Sequence, residues 1–312
     1  MIVRWGLDEL PGLVDELGLQ APLLIASERW SLPIEAGDRW TEVPSTRVAE
    51  AAAQAGGGVI AVGGGSAIDL GKAVSAAAGR PLLSVPTTYA GAEWTTFYGI
   101  RDPERKLRGG GAGARLGGIV YDANLTLDLP LETTVGTAMN ALAHCAEALY
   151  VDSHNEEADE HALVGARAIA EWLPRVVASP RDSEARSGLL RGACNAGAAL
   201  GGSGLALGHA MARAIGGRYG LPHGTLNGIC LPVALDWNEQ WAPEAVQRFR
   251  HVVGRDVREL TALGGITRLS ELGVPEEDLP ALAAAAAERP GNRANPKVAT
   301  PSEIEQLLRA VY

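Results

Sequence analysis

The stretch that decides the fold is Val59-Ile60-Ala61-Val62-Gly63-Gly64-Gly65-Ser66-Ala67-Ile68-Asp69-Leu70-Gly71-Lys72-Ala73. An apolar run of strand length ends at three glycines and a serine, and a helical pattern begins directly after them. Glycines let the backbone approach an anion, and the first free N–H groups of a helix point at it. The stretch therefore predicts a strand, turn and helix that bind phosphate. A turn that needs glycine only for its backbone angles stays an alternative, because the pattern is neither GxGxxG nor GxxxxGK[ST].

The composition is that of a globular protein. The chain has 312 residues, of which 46% are hydrophobic, and its formal net charge is −10. The negative charge argues against nonspecific binding to nucleic acid or to an acidic membrane. The 3 cysteines are widely spaced, which suits a reducing cytoplasm better than a disulfide framework. No signal peptide or membrane-spanning apolar run appears, so we expect a cytoplasmic protein.

Strand and helix patterns alternate in the first part of the chain. This alternation predicts a parallel sheet with helical crossovers, whose ligands bind beyond the carboxyl ends of the strands. The glycine turn and Thr87-Thr88 follow two of the predicted strands, so we expect them at one edge of the sheet. The glycine-rich segment 109–118 is predicted to be a loop. From Glu132 onwards almost every segment has a helical period, which places an α/β domain at 1–128 and an all-helical domain at 129–312.

The helical part carries a second set of polar residues. Asn140, His144 and Glu147 share one face of a helix whose other positions are nearly all apolar. His209 lies on a glycine-rich helix, and His223 precedes the next helix. A lone buried histidine is usually a core residue with satisfied hydrogen bonds. Three histidines near helix ends, one of them four residues after an asparagine, favour a functional site.

Taken together, these segments resemble the iron-containing alcohol dehydrogenase family, which has the dehydroquinate synthase-like fold. The segment Gly63–Lys72 resembles the pyrophosphate loop of the family, and Pro86-Thr87-Thr88 resembles its strand end near the nicotinamide. The resemblance implies a parallel dinucleotide-binding sheet, shortened between Leu23 and Val59, followed by an all-helical substrate domain. It also implies NAD(P)H as cofactor and a homodimer formed through the N-terminal strands.

The resemblance assigns roles residue by residue. The residues implied to bind the cofactor are Gly63, Gly64, Gly65, Ser66, Asp69, Thr87, Thr88, Ser27, Lys106 and Leu125. The implied catalytic residues are His209, His223, Arg213 and Lys106. The positions of the family's metal ligands are occupied by Asn140, His144, His209 and His223. The choice between NADH and NADPH stays open, since Ser27 replaces the acid of NAD-selective relatives while Arg29 and Glu28 act in opposite directions.

Two positions decide which branch of the family the chain resembles. Asn140 stands where the metal-dependent members carry aspartate, and losing that anionic ligand weakens metal binding. Asparagine there, together with the run Thr87–Glu93, is typical of the maleylacetate reductase branch, whose members work without a metal. Arg213 is the second departure, because both branches usually place a histidine at this position. Whether a metal is bound therefore stays open, and Asn140 argues against it.

The expected function follows from this branch. It is an NAD(P)H-dependent reduction of the C=C bond of an unsaturated keto-diacid, giving 3-oxoadipate in the degradation of aromatic compounds. The substrate class is a small anionic carbonyl or enone compound, whose developing oxyanion needs preorganised donors. Its two carboxylates need cationic partners, for which the candidates are Arg213 and either Arg108 or Lys106. Two alternatives remain: an iron- or zinc-dependent alcohol dehydrogenase or aldehyde reductase, and an inactive nucleotide-binding module.

Overall fold

The structure, a computed structural model, describes residues 1–102 and 107–312. The chain forms two compact units. The N-terminal unit contains residues 1–88 and 92–126, and the helical unit contains residues 89–91 and 127–312. The division into independent domains at residue 128 stays a prediction.

The N-terminal unit is built on a six-stranded parallel sheet. Its strands are β1 (Ile2–Trp5), β2 (Leu23–Ile25), β3 (Arg39–Trp40), β4 (Val59–Gly63), β5 (Pro81–Pro86) and β8 (Arg115–Tyr121), in the order β1-β8-β5-β4-β2-β3. The helices of this unit are α1 (Leu10–Glu16), α2 (Val48–Gln54) and α3 (Gly65–Ala78). The predicted parallel sheet is thereby confirmed.

Both faces of the sheet are buried, which explains why its strands are apolar without alternation. In β4, Ile60 and Val62 join an apolar cluster with α1 on one face, while Val59 and Ala61 join a cluster with α3 on the other. Helix α3 approaches the sheet closely, since a Cβ on Gly71 would lie 2.6 Å from the Cβ of Ala61. This packing holds the middle of α3 against the middle of β4.

The prediction of a loop over residues 109–118 is wrong. Strands β6 (Tyr98–Asp102) and β7 (Leu107–Gly111) pair as an antiparallel ribbon, and β8 begins at Arg115. Glycines have no side chains to show the two-residue alternation of a strand, yet their backbone groups pair like any others. The sequence pattern therefore concealed both strands.

The helical unit is confirmed as all-α in the part of the chain that the structure describes. Its helices are α4 (Leu131–Ala148), α5 (Glu156–Ala178), α6 (Ser183–Gly202), α7 (Leu207–Tyr219), α8 (His223–Asn238), α9 (Pro243–Val253), α10 (Val257–Ala262), α11 (Leu279–Ala287), α12 (Pro290–Arg293) and α13 (Pro301–Ala310). Helix α4 is buried against α5, α6 and α8. Among the described residues, no helix has the length and apolarity needed to cross a bilayer.

A candidate phosphate loop and a histidine cluster

The predicted phosphate loop, residues 63–66, joins the carboxyl end of β4 to the start of α3. Gly64 is the N-cap residue of α3, and no side-chain hydrogen bond caps this helix start within the described residues. The N–H groups of Gly65 and Ser66 donate to no group in that part of the chain. A Cβ on Gly65 would meet nothing within 4 Å, so the space there is open. Free donors beside open space at a helix start fit a phosphate group.

The loop needs glycine at two positions. Gly63 has a φ of +149°, and a Cβ there would lie 2.7 Å from the Cβ of Ala67. A Cβ on Gly64 would lie 3.0 Å from the methyl group of Thr88. The N–H of Thr87 donates to the carbonyl oxygen of Gly63 at 3.0 Å. The structure thus brings Thr87 and Thr88 beside the loop, at the sheet edge where the strand order predicts them.

Two further predicted cofactor residues follow neighbouring strands. Ser27 follows β2, and its carbonyl oxygen accepts a hydrogen bond from the guanidinium of Arg39 at 3.1 Å. The guanidinium of Arg29 stacks 4.6 Å from the ring centre of Trp30. Leu125 is half-buried in the turn that follows β8. Both residues therefore lie at the carboxyl edge of the sheet, and Ser27 has basic neighbours.

The charged residues of the loop motif make structural contacts. The Asp69 carboxylate pairs with Lys72 at 2.7 Å and accepts a hydrogen bond from the N–H of Gly99 at 3.1 Å. The buried Lys72 ammonium also donates to the carbonyl oxygens of Ala92 and Phe97, at 2.8 and 2.7 Å. These contacts hold the segment that follows Thr88. Direct contact between Asp69 and the cofactor stays a prediction.

Two basic residues from the sequence hypothesis are not placed. Lys106, expected in both the cofactor-binding and the catalytic sets, lies outside the described residues. The backbone of Arg108 pairs with that of Arg101 in the β6–β7 ribbon, and its side chain is not described. Their expected roles stay predictions.

The three predicted histidines come together within the helical unit. His144 on α4 and His209 on α7 stack with ring centres 4.8 Å apart and an angle of 15° between the rings. His223, the first residue of α8, lies 5.7 Å from His209 between ring centres. His144 and His209 are buried, whereas His223 is exposed. Helices far apart in sequence thus present three imidazole rings at one place, with an opening to solvent at His223.

Two buried amides connect these rings. The Asn227 amide donates to Asn140 Oδ1 at 2.6 Å and lies 3.0 Å from Nε2 of His223. The Asn140 amide donates to the carbonyl oxygen of Ala90 at 3.0 Å and lies 3.4 Å from Nε2 of His144. The oxygen of Asn140 is therefore occupied, and its N–H group faces the imidazole. Asn140 acts as a hydrogen-bond donor toward the cluster.

Glu147 also belongs to this site. The sequence interpretation placed it on the same helix face as His144 but gave it no role. Its carboxylate lies 2.8 Å from Nδ1 of His209 and accepts hydrogen bonds from the backbone N–H groups of Ala206 and His209. Glu147 is 1% exposed. Its position three residues after His144 on a buried helix was the available signal, because a buried carboxylate requires a partner. We define the histidine cluster as His144, His209, His223, Asn140, Asn227 and Glu147.

Burial and one cation set the charge of the cluster. Burial lowers the pKa of His209 well below its ordinary value, and the Arg213 cation lowers it further. Burial also lowers the pKa of His144 well below its ordinary value, with His209 adding to the effect. Burial raises the pKa of Glu147 to about 7, against the backbone hydrogen bonds that favour its charged form. At neutral pH the two buried rings are therefore uncharged, next to the positive charge of Arg213.

Two contacts within the cluster disfavour a divalent metal. Lone pairs of metal ligands converge on one point. The rings of His144 and His209 lie in nearly parallel planes, and the oxygen of Asn140 already accepts a hydrogen bond. Within the described residues, no group of three His, Cys, Asp or Glu side chains is placed to hold a metal ion. The donor set in this arrangement fits a divalent metal poorly.

Comparisons with known proteins match both units. The C-terminal region of the Fe-containing alcohol dehydrogenase family matches residues 134–312, and the iron-containing alcohol dehydrogenase family matches residues 6–112.

Several of the similar proteins are maleylacetate reductases. A maleylacetate reductase of Burkholderia cepacia is 38% identical over 259 residues, covering 81% of this chain and 73% of that protein. A maleylacetate reductase of Sphingobium indicum is 37% identical with the same coverage. The crystal structure of maleylacetate reductase from Rhizobium sp. superposes with a TM-score of 0.89 at 30% identity, covering 100% of this chain and 95% of that one.

Proposed function

The chain belongs to the iron-containing alcohol dehydrogenase family, and on that premise we propose that it is an NAD(P)H-dependent reductase of the maleylacetate reductase type. The observation that carries the proposal is the Asn140 amide, held as a donor by Asn227 where metal-dependent members carry aspartate. The reaction reduces the C=C bond of an unsaturated keto-diacid and yields 3-oxoadipate. We propose that it proceeds without a metal.

The phosphate loop supports the cofactor part of this proposal. Its free N–H groups at the start of α3 bind the diphosphate, and Thr87 and Thr88 border the same space. A bound reduced nicotinamide supplies the hydride that adds to the alkene carbon. The basic neighbours of Ser27 are compatible with NADPH as well as NADH.

The histidine cluster supports the chemical part. Hydride addition places negative charge on the ketone oxygen of the substrate, and donors fixed in a buried site stabilise it. Arg213 brings a positive charge to the cluster, and His209 and His223 provide ring nitrogens for proton transfer. Because the substrate carries two carboxylates, the Arg213 guanidinium also serves as a binding partner for one of them.

A second candidate function, a metal-dependent alcohol dehydrogenase, is favoured by the meeting of three histidines at one place. Iron or zinc would be held by these rings with Asn140 or water in the fourth position. Elemental analysis of the purified protein separates the two candidates. Stoichiometric metal whose removal abolishes turnover of simple alcohols or aldehydes supports this second candidate.

The deciding experiment measures NAD(P)H consumption with maleylacetate after exhaustive chelation. The proposal expects turnover that chelation leaves unchanged. Absence of turnover with maleylacetate, alongside metal-dependent turnover of simple alcohols, contradicts it. Binding of dinucleotide without turnover on any carbonyl or enone substrate indicates the inactive nucleotide-binding module instead.

We also propose a homodimer formed through β1. This strand lies at one edge of the sheet and pairs with β8. An edge strand offers unpaired N–H and C=O groups to a second copy. Sedimentation equilibrium of the full chain, compared with a variant carrying proline at Val3, measures whether the dimer forms and depends on this strand.

A further inference from the structure

The carboxylate of Glu147 binds both the start of helix α7 and the imidazole ring of His209. Helix α7 has Ala206 as its N-cap residue, and no side chain of that residue caps the helix. Glu147 performs this task from α4: Oε2 accepts from the N–H of Ala206 at 2.5 Å, and Oε1 accepts from the N–H of His209 at 3.0 Å. An anionic side chain at a helix N-terminus is stabilising. The carboxylate thereby fixes the backbone of His209.

The same carboxylate fixes the ring of His209. Oε2 lies 2.8 Å from Nδ1, and in its ionised form Glu147, which already accepts two backbone N–H bonds, takes a third from the imidazole. Nδ1 then carries the hydrogen, and the lone pair is on Nε2. Nε2 is buried and has no hydrogen-bond partner among the described residues. The ring nitrogen opposite Glu147 is therefore available to a molecule that enters the cluster.

Gly208, the residue before His209, leaves room for the carboxylate. Glu147 is 1% exposed, and a Cβ on Gly208 would lie 2.9 Å from Oε1. A side chain at position 208 would therefore displace the oxygen that accepts from the N–H of His209. Capping of α7 and orientation of the His209 ring depend on the same two carboxylate oxygens.

We propose that Glu147 is a positioning residue for catalysis: it holds His209 as the Nδ1–H tautomer and directs Nε2 at the substrate. When Nε2 takes up the proton that is returned to the reduced substrate, the carboxylate stabilises the resulting imidazolium. The proton passes from solvent to Nε2 and then to the carbanion carbon that hydride addition creates, so charge and atoms balance. This role rests on the proposed function. Glu147 itself contacts neither substrate nor cofactor.

The test compares the wild-type protein with Glu147→Gln in two measurements. Long-range ¹H–¹⁵N NMR of the imidazole nitrogens reports the tautomer of His209, assigned by the signal lost in His209→Gln. The wild type is expected to show a protonated Nδ1 and an unprotonated Nε2, and Glu147→Gln is expected to lose this preference. The kcat for maleylacetate is expected to fall roughly 100-fold or more, with KM and the dinucleotide Kd unchanged within about twofold.

Asp182→Ala is the matched control, because Asp182 caps α6 in the same unit through the N–H groups of Glu184 and Ala185 and touches no histidine of the cluster. It loses a helix cap, which lowers the midpoint of thermal unfolding, and is expected to keep kcat. If Glu147→Gln loses stability like this control while the tautomer and kcat stay unchanged, the residue is a helix cap only and the proposal is overturned.

The tautomer measurement keeps this proposal separate from the proposed function. A wild-type protein without maleylacetate turnover, in which Glu147→Gln still releases the tautomer, contradicts the proposed function and supports the positioning role. A wild-type His209 with its hydrogen on Nε2 overturns the positioning role directly. This last result requires no variant, so it decides the proposal even if Glu147→Gln does not fold.

Discussion

The phosphate loop and the histidine cluster differ in the atoms that form them, backbone groups in the first and side chains in the second. The loop uses backbone N–H groups, and three of its four residues are glycines, which have no side chain to block an anion. The cluster uses buried side chains whose orientation depends on other buried side chains. A backbone site is damaged by adding atoms to it, whereas a side-chain site is damaged by changing a hydrogen-bond donor into an acceptor. The two regions should therefore fail separately, one in cofactor binding and the other in chemistry.

Replacing His209 by glutamine gives the largest expected effect on activity. The substitution removes Nε2, the ring nitrogen that lies opposite Glu147, so kcat should fall about 100-fold or more. The dinucleotide Kd, measured by NAD(P)H fluorescence, should stay within about twofold of the wild type. His251→Gln, an exposed histidine on α9, is the matched control and should be fully active. A parallel loss of dinucleotide affinity would show that the two regions are not separable.

Replacing Gly65 by alanine should produce the opposite pattern. The new methyl group meets no protein atom within 4 Å, so the stability of the protein should not fall. If a diphosphate occupies that space, its Kd should rise about tenfold, equivalent to ~1.4 kcal/mol, with kcat at saturating cofactor little changed.

Gly56→Ala is the control for this experiment, since its Cβ also meets nothing within 4 Å and it lies before β4, away from the loop. Equal affinity in Gly65→Ala, Gly56→Ala and the wild type would place the diphosphate elsewhere. Thermal unfolding of all three proteins shows whether the fold is intact.

The difference between a backbone site and a side-chain site also explains what the sequence could predict. The loop was predictable because its chemistry is local: an apolar strand, glycines and a helix follow one another within 15 residues. Helices such as α5 and α9 were predictable from their period. The spacing on α4 also placed Asn140, His144 and Glu147 on one face, without showing what each residue contacts.

Long-range pairings were beyond the sequence. Glu147 meets His209 over a separation of 62 residues, and Asn140 meets Asn227 over 87. No local pattern encodes which amide oxygen accepts and which amide nitrogen donates, because that depends on packing between helices. The side-chain site was therefore identifiable as a set of residues, while its hydrogen-bond directions required the structure.

Changing Asn140 to aspartate tests those directions. Asn227 can still donate to the new carboxylate, but the donor toward His144 becomes an anionic acceptor. The Kd for Zn²⁺, measured by competition with a chromogenic chelator, should fall about tenfold or more relative to the wild type. Asn124→Asp, an exposed residue of the N-terminal unit, adds the same charge and should leave the Kd unchanged. Equal Kd values in all three proteins would mean that the Asn140 amide does not determine metal binding.

The last expected effect concerns stability rather than activity, through a buried side-chain network inside the N-terminal unit. The Glu93 carboxylate accepts a hydrogen bond from the Tyr121 hydroxyl at 2.5 Å, and the Trp94 indole donates to the same hydroxyl at 2.8 Å. Burial raises the pKa of Glu93, against the hydrogen bond from Tyr121 and the charge of Lys72. Above its ordinary pKa, the folded protein therefore retains a proton that the unfolded chain has released.

Because the folded state binds more protons in this window, the contribution of Glu93 to stability is greatest at acid pH and declines as the pH rises toward the folded pKa. The free energy of unfolding of the wild type relative to Glu93→Gln should therefore fall by up to about 1.4 kcal/mol per pH unit across that window. Urea unfolding of both proteins between about pH 5 and pH 8 measures this difference. Glu288→Gln, an exposed glutamate of the helical unit, should run parallel to the wild type. Parallel curves for Glu93→Gln as well would mean that Glu93 is ionised in the folded protein, with its charge balanced by Lys72 and Tyr121.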